Sequence, residues 1–312
     1  MNYNDLFINA LYKNNLDLLK SIPKGDLHAH STRSGSQKYF NNKYNVKIKS
    51  KDYFESIDEM NSWYNKEIKA LFSNKMQSFS ERIISAFIAA KEDSVKKLCL
   101  SFGLGNIKLF NGNINSYINK IEEIRKQYYN DYIFIPELCL VRGQISQTQN
   151  ELITNLIKSN YFKSIDLVGD EKYGVNEFVD IYNLAEQHGM IKRCHVGEFC
   201  DYTYIDDAIN KLRINEIQHG LSITQSNDLI NKIRNKNIRI NLCPESNLRL
   251  KRINLLENYI LRCLIDNNIN VTINTDDRLI FNKSISAEFL DLYNTGQYTA
   301  EELNDIRNNS LI

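Results

Sequence analysis

Proline is scarce in this 312-residue chain, with three in all, so no Pro-rich linker divides it. Net charge is nearly absent: 39 basic and 38 acidic residues leave +1, which argues against a general nucleic-acid footprint. The Lys-rich stretch Lys43 to Lys51 reads as a solvated surface rather than a polyanion site. No apolar run is long enough to span a bilayer, and the opening MNYNDLFINALYKNN lacks the continuous apolar stretch of a secretion signal. No CxxC pair occurs among the six cysteines, so neither a disulfide framework nor a structural zinc pattern emerges; the expected compartment is the cytoplasm. A Gly-rich turn after the first strand is also missing, which counts against an open dinucleotide-binding sheet.

What is present is alternation. Short apolar runs read as strands at Asp26–His30, Leu98–Leu104, Ile133–Val141, Ser164–Val168, Ile191–His195, Glu216–Gln218, Ile238–Cys243 and Asn270–Asn274. Helical spacing falls between them at Ser80–Lys97, Ser116–Tyr129, Thr148–Ser159, Val175–His188, Thr203–Leu212, Gln225–Asn235 and Ile253–Asn267. Strand then helix, repeated eight times, predicts an α/β chain folded as a (β/α)8 TIM barrel, at a length that leaves room for one elaborated loop. The excess falls after the first strand. Residues 31–77 are rich in aromatics, among them Tyr39, Phe40, Tyr44, Tyr53, Phe54, Trp63, Tyr64 and Phe72, and read as an extended, partly helical lid. Residues 1–312 are accordingly expected to form one domain carrying a lid-like insertion.

Loops at the C-terminal ends of barrel strands converge, and the polar residues of this chain gather there. Strand one ends in His28-Ala29-His30, and the two-residue period aims both imidazoles at one face. Later strands end in His195-Val196-Gly197-Glu198, His219-Gly220 and Asn274-Thr275-Asp276-Asp277. Four of the five histidines thus sit at strand ends; the fifth, His188, precedes Gly189 and reads as a helix C-cap. So many ionisable groups on one rim would be costly to bury unpartnered, and a divalent cation relieves that cost. Three imidazoles and one carboxylate suit zinc with a position open for water.

Taken together the motifs resemble those of the adenosine deaminase family, in the family's order over nearly the whole chain. They are PKGDLHAH (Pro23–His30), LVGDE (Leu167–Glu171), HVGE (His195–Glu198), QHG (Gln218–Gly220), CPESN (Cys243–Asn247) and NTDD (Asn274–Asp277). The resemblance implies one Zn2+ per chain on His28, His30, His195 and Asp276. It implies catalytic roles for Glu198, which would protonate purine N1, for His219, which would hydrogen-bond the attacking hydroxide, and for Asp276. Asp277 would meet N7 and the Gly169 N–H would meet N3. The partner is then a small-molecule purine nucleoside or nucleotide, and the reaction hydrolytic deamination to the 6-oxo purine and ammonia.

Three departures qualify this. Thr32, followed by Arg33, Ser34, Gly35 and Ser36, stands where nucleoside deaminases of the family commonly carry an Asp for the ribose 5′-hydroxyl. Hydroxyls and an Arg there suit a 5′-phosphate, as in AMP or dAMP, although the stretch also reads as the plain opening of the lid. Arg278 replaces a common proline and reads as a second phosphate contact or a surface charge. The helical segment Leu303–Leu311 looks like the start of a longer family region, which would leave apolar surface for a second copy in a homo-oligomer. Two other readings compete: a catalytically silent purine nucleotide-binding module, and a metal-dependent phosphoesterase whose opening also looks like DLHAHS. The phosphoesterase needs late histidines, and none follows His219.

Overall fold

The computed structural model describes residues 2–312. Eight parallel strands follow one another in chain order around a TIM barrel. They are β1 (Lys24–Asp26), β2 (Val95–Gly103), β3 (Ile133–Val141), β4 (Ser164–Val168), β5 (Ile191–Val196), β6 (Glu216–His219), β7 (Arg239–Leu242) and β8 (Val271–Ile273). Pairing runs from β1 to β8, with a register shift between Lys24 and Gly25 of β1; Ser101 lies beside Glu137, Cys139 beside Asp166 and His195 beside Gln218. The ring closes above the strands, through a parallel bridge between Ala29 and Asp276. There the His30 N–H donates to the Asp276 carbonyl at 3.2 Å, and the Asp276 N–H to the His28 carbonyl at 3.0 Å.

β3 and β4 have the expected bounds, but β1 does not. It stops at Asp26, so His28 and His30 lie beyond the strand, flanking the closing Ala29–Asp276 bridge, and His30 also bridges Ser101 of β2. Two helices also differ. The one expected at 80–97 runs Lys75–Glu92, because Ser94 turns left-handed (φ 48°) and Val95–Lys97 enter β2. The one expected at 253–267 shrinks to Leu261–Asp266 after a short 3-10 turn at Leu256–Asn258. Helix Tyr202–Leu212 shows what holds the outer layer. Asp201 caps it, its carboxylate accepting from the Thr203 N–H, and Ile205, Ala208, Ile209 and Leu212 form one buried stripe against the sheet. Each such large aliphatic contributes roughly 1.5–3 kcal/mol by leaving water. The last helix, Ala300–Asn309, buries Leu303 and Ile306, and the N–H of Gly25 in β1 donates to the Ser310 hydroxyl just beyond it.

Inside the barrel the filling is polar. Arg193 donates to Glu137 at 2.7 Å and to Glu216 at 2.8 Å, and Glu216 also accepts from Asn241 at 2.8 Å. All four are buried, and this paired network forms the floor beneath the strand ends. The insertion has its own apolar cluster. Phe40, Ile48, Phe54, Met60, Tyr64 and Ile68 pack on Leu250, Leu279, Ile280 and Phe281, which follow β7 and β8. Its helices, Gln37–Tyr44 and Ile57–Glu67, are therefore fastened to the same rim that carries the histidines. Among the described residues no helix is long and apolar enough to cross a membrane.

Candidate active site

Five side chains from four strand ends meet at the barrel mouth. The His28 ring lies 5.3 Å from His30, 4.6 Å from His195 and 5.2 Å from His219, centroid to centroid. Asp276 Oδ1 is 3.5 Å from His28 Nε2 and 3.2 Å from His30 Nε2. Both His219 and Asp276 have left-handed backbones (φ 65° and 55°), which break the strand direction just where their side chains turn inward. Such conformations cost about 1–3 kcal/mol each and persist where surrounding contacts enforce them.

Two overlapping groups could hold a metal ion, His28 with His195 and His219, and His28 with His30 and Asp276; within each, one donor atom per residue lies within 4.8 Å of the others. Both nitrogens of His28 are buried without a hydrogen-bond partner. Burial lowers the His28 pKa to about 4, leaving neutral imidazole with an unused lone pair. His195 places Nδ1 2.7 Å from the buried Asp166 carboxylate, which turns Nε2 towards the cluster. Ser246 donates to Asp276 Oδ2 at 2.6 Å. The residues present fit a cation of zinc's preferences: His28 and His195, kept neutral by burial, one carboxylate, and outer partners that orient both. His30, whose pKa rises to about 9 because the pull of Asp276 outweighs its burial, would release that proton on binding an ion.

Glu198 stands beside this cluster, its carboxylate 3.7 Å from His219 Nε2. Burial first, then the neighbouring carboxylates of Asp276 and Glu171, push its pKa well above the ordinary glutamate range. His219 in turn has Nδ1 3.2 Å from the Asn247 amide, which the Tyr259 hydroxyl holds from the other side at 2.9 Å. Gly197 makes the turn between His195 and Glu198. Its φ is +75°, and a Cβ there would come within 2.4 Å of Ile205 Cδ1. Gly169, at φ +98°, caps β4 on the same side, where the Arg142 guanidinium donates to its carbonyl at 3.3 Å.

Arg33 is engaged. It donates to Asp277 Oδ2 at 3.1 Å and to Asn61 Oδ1 at 2.7 Å, with its guanidinium 5.1 Å over the Tyr64 ring. Thr32 accepts from the Tyr64 hydroxyl through its carbonyl. Ser34 donates to the carbonyls of His30 and Asp276, and Ser36 caps helix Gln37–Tyr44. The hydroxyls expected to receive a phosphate at Ser34 and Ser36 are thus committed to the fold. Arg278, half-buried, donates to the Ala89 carbonyl at 2.7 Å. His188 caps its helix and lies against Asn160.

Comparison with known proteins then decides the family. The adenosine deaminase family model matches residues 138–312. The chain belongs to the adenosine deaminase family. Membership makes it a deaminase, a hydrolase in class. A provisionally named adenosine/adenine deaminase of Treponema pallidum (strain Nichols) is 24% identical over 290 residues, spanning 91% of this chain and 95% of that one. The fold is similar to the crystal structure of adenine deaminase from Arthrobacter aurescens, with a TM-score of 0.78 and 17% identity over 93% of this chain and 92% of that. It is also similar to arabidopsis ADAL complexed with GMP, at a TM-score of 0.77 and 16% identity over 94% and 92%.

Sequence reasoning passed over Asp166, Glu171, Ser246 and Asn247, which touch the site residues. Ser246, Asn247 and Glu171 lie inside quoted motifs without a role. For Asp166 the available signal was a carboxylate in the middle of an otherwise apolar strand, SIDLV.

Proposed function

We propose that this protein carries out zinc-dependent hydrolytic deamination of an adenine-type purine to the 6-oxo purine and ammonia. The observation that carries the reading is Glu198: a buried carboxyl, held above the usual pKa range, beside a histidine and a metal-competent cluster. His28, His30, His195 and Asp276 would hold the ion. When bound, zinc lowers the pKa of water towards neutrality and makes hydroxide available at the mouth. Glu198, its carboxyl kept protonated above the ordinary glutamate range, gives its proton to N1 and draws electron density from C6. His219 hydrogen-bonds the attacking oxygen, and Asp276 accepts the proton that the water loses. Addition at C6 turns the ring's C6–N1 double bond into a single bond. The proton held by Asp276 then passes to the amino group. Ammonia leaves as the C6 hydroxyl returns its proton to Glu198 and becomes the carbonyl, N1 keeping its hydrogen. The Gly169 N–H donates to N3, and Asp277, whose pKa burial raises, donates from its protonated oxygen to N7 while its other oxygen accepts from Arg33. The insertion acts as the lid of a single domain and supplies the apolar cover that keeps this chemistry from bulk water.

The relatives' names range over adenine, adenosine and a nucleotide complex, and a second observation bears on the choice. Arg33, Lys69 and Arg82 converge on Tyr64, at 5.1, 5.5 and 5.7 Å from its ring centre, and among the described residues Asp277 is the one carboxylate that ion-pairs with them. That excess of positive charge beside Thr32 favours a 5′-phosphorylated substrate, AMP or dAMP, over adenosine or deoxyadenosine. The test is a deamination screen over adenine, adenosine, AMP and dAMP, with and without Thr32→Asp. Preference for the nucleotides, weakened selectively by the added carboxylate, is expected. Preference for base or nucleoside removes the phosphate reading, and no turnover of any of them removes deamination.

A further inference from the structure

The loop that carries Glu198 is held by a side chain from a different loop. Glu171, immediately after β4, is 2% exposed. Its Oε2 accepts from the Gly197 N–H at 2.7 Å, while Oε1 accepts from the Glu198 N–H at 3.0 Å and the Phe199 N–H at 2.9 Å. Three consecutive backbone donors thus converge on one carboxylate, a charge-assisted anchor far more specific than packing alone. The same loop bears Gly169 two residues earlier, whose carbonyl Arg142 holds while also donating to the His195 carbonyl at 2.5 Å. The β4 and β5 loops are in this way locked to each other at two points.

We infer that Glu171 is a positioning residue for the Glu198 acid, fixing the spacing between that carboxyl and the Gly169 N–H so that both meet one edge of the purine ring. This rests on the proposed deamination. Glu171 touches no reacting atom. It acts by setting where the Glu198 backbone stands, and with it the reach of a short side chain to N1. Glutamine in its place keeps the size but turns one acceptor into a donor, so at least one of the three N–H groups faces an N–H. Aspartate keeps the charge and loses reach.

The experiment compares wild type, Glu171→Gln, Glu171→Asp, Glu198→Gln and the Glu171→Gln/Glu198→Gln double variant as zinc-loaded enzymes, on whichever purine the wild type turns over. A displaced acid predicts a fall in kcat of about 100-fold for Glu171→Gln, the scale of a 1 Å misplacement. KM and zinc content should stay close to wild type, and Glu171→Asp should recover part of the loss. The double variant should be no slower than Glu198→Gln alone, because a missing acid has nothing left to misplace. Losses that multiply in the double variant, or a lowered melting temperature with kcat intact, would overturn the inference. A crystal structure of Glu171→Gln gives a readout independent of turnover, and separates this inference from deamination itself. A Glu198 backbone left in its wild-type position refutes the positioning role even if the wild type proves silent on every purine.

Discussion

Replacing Glu198 by glutamine tests the chemistry at its narrowest point. The amide keeps the shape of the carboxyl and removes the transferable proton. Positioned general acids contribute about 10²–10⁴ in rate, which at 1.36 kcal/mol per decade is about 3–5 kcal/mol of barrier. Glu198→Gln should therefore lose between a hundredfold and ten-thousandfold in kcat, read as the fall in absorbance near the adenine maximum. Its pH behaviour sharpens the test. In the fold, burial and the carboxylates of Asp276 and Glu171 raise the Glu198 pKa well above its ordinary value of 4.5. The folded state then holds a proton that the unfolded chain has already released. The stability this group contributes is complete below the unfolded pKa and is lost as pH rises through the folded one. Glutamine does not titrate, so the variant's stability relative to wild type should improve from acid to alkaline pH in urea unfolding. The alkaline limb that Glu198 imposes on wild-type kcat/KM should vanish with it. Turnover within tenfold of wild type, or a stability difference flat across pH, would refute the acid role and with it the reading of the raised pKa.

Other substitutions reach the supports of the site. Asp276→Ala removes the carboxylate shared by His28 and His30, and zinc per chain by elemental analysis should fall; full occupancy would contradict the ligand set. Asp166→Asn replaces the acceptor 2.7 Å from His195 Nδ1, and zinc affinity by chelator competition should weaken about 10–100-fold, the usual cost of losing such an outer partner. Gly197→Ala combines a left-handed backbone with a Cβ 2.4 Å from Ile205, so it should destabilise by about 2–5 kcal/mol in urea unfolding. An unchanged midpoint there would show that the turn can relax.

How far the sequence could be read depended on whether a residue's role is set by its own neighbours or by a distant partner. β3 and β4 were legible to the residue because mostly apolar runs, broken only by Pro136 and Glu137 in one and Asp166 in the other, stand between polar loops. The histidines and Asp276 were legible as a group, since the two-residue spacing of His28 and His30 puts both on one face and the other motifs all fall at strand ends, where the loops of a barrel converge. β1 was misjudged by a few residues, because the barrel closes through main-chain bonds between His28, His30 and Asp276, which no local pattern encodes. Arg33 shows the limit more sharply. Its charge beside Thr32 suggested an anion ligand, but the group it meets is the Asp277 carboxyl, brought there by folding across most of the chain.

That pairing alters what the phosphate reading requires. Arg33 cannot serve a phosphate and hold Asp277 at full strength together, so a nucleotide must draw on Lys69 and Arg82 or share the guanidinium. Arg33→Lys separates the cases. A lysine keeps the charge but cannot bridge Asp277 and Asn61 as the planar fork does. If Arg33 chiefly orients Asp277 for N7, the variant should lose kcat/KM in equal proportion on adenosine and AMP. If it chiefly receives the phosphate, AMP should suffer and adenosine should not. The double engagement of the guanidinium predicts the first pattern, with nucleotide preference left to Lys69 and Arg82; a loss confined to AMP would refute it.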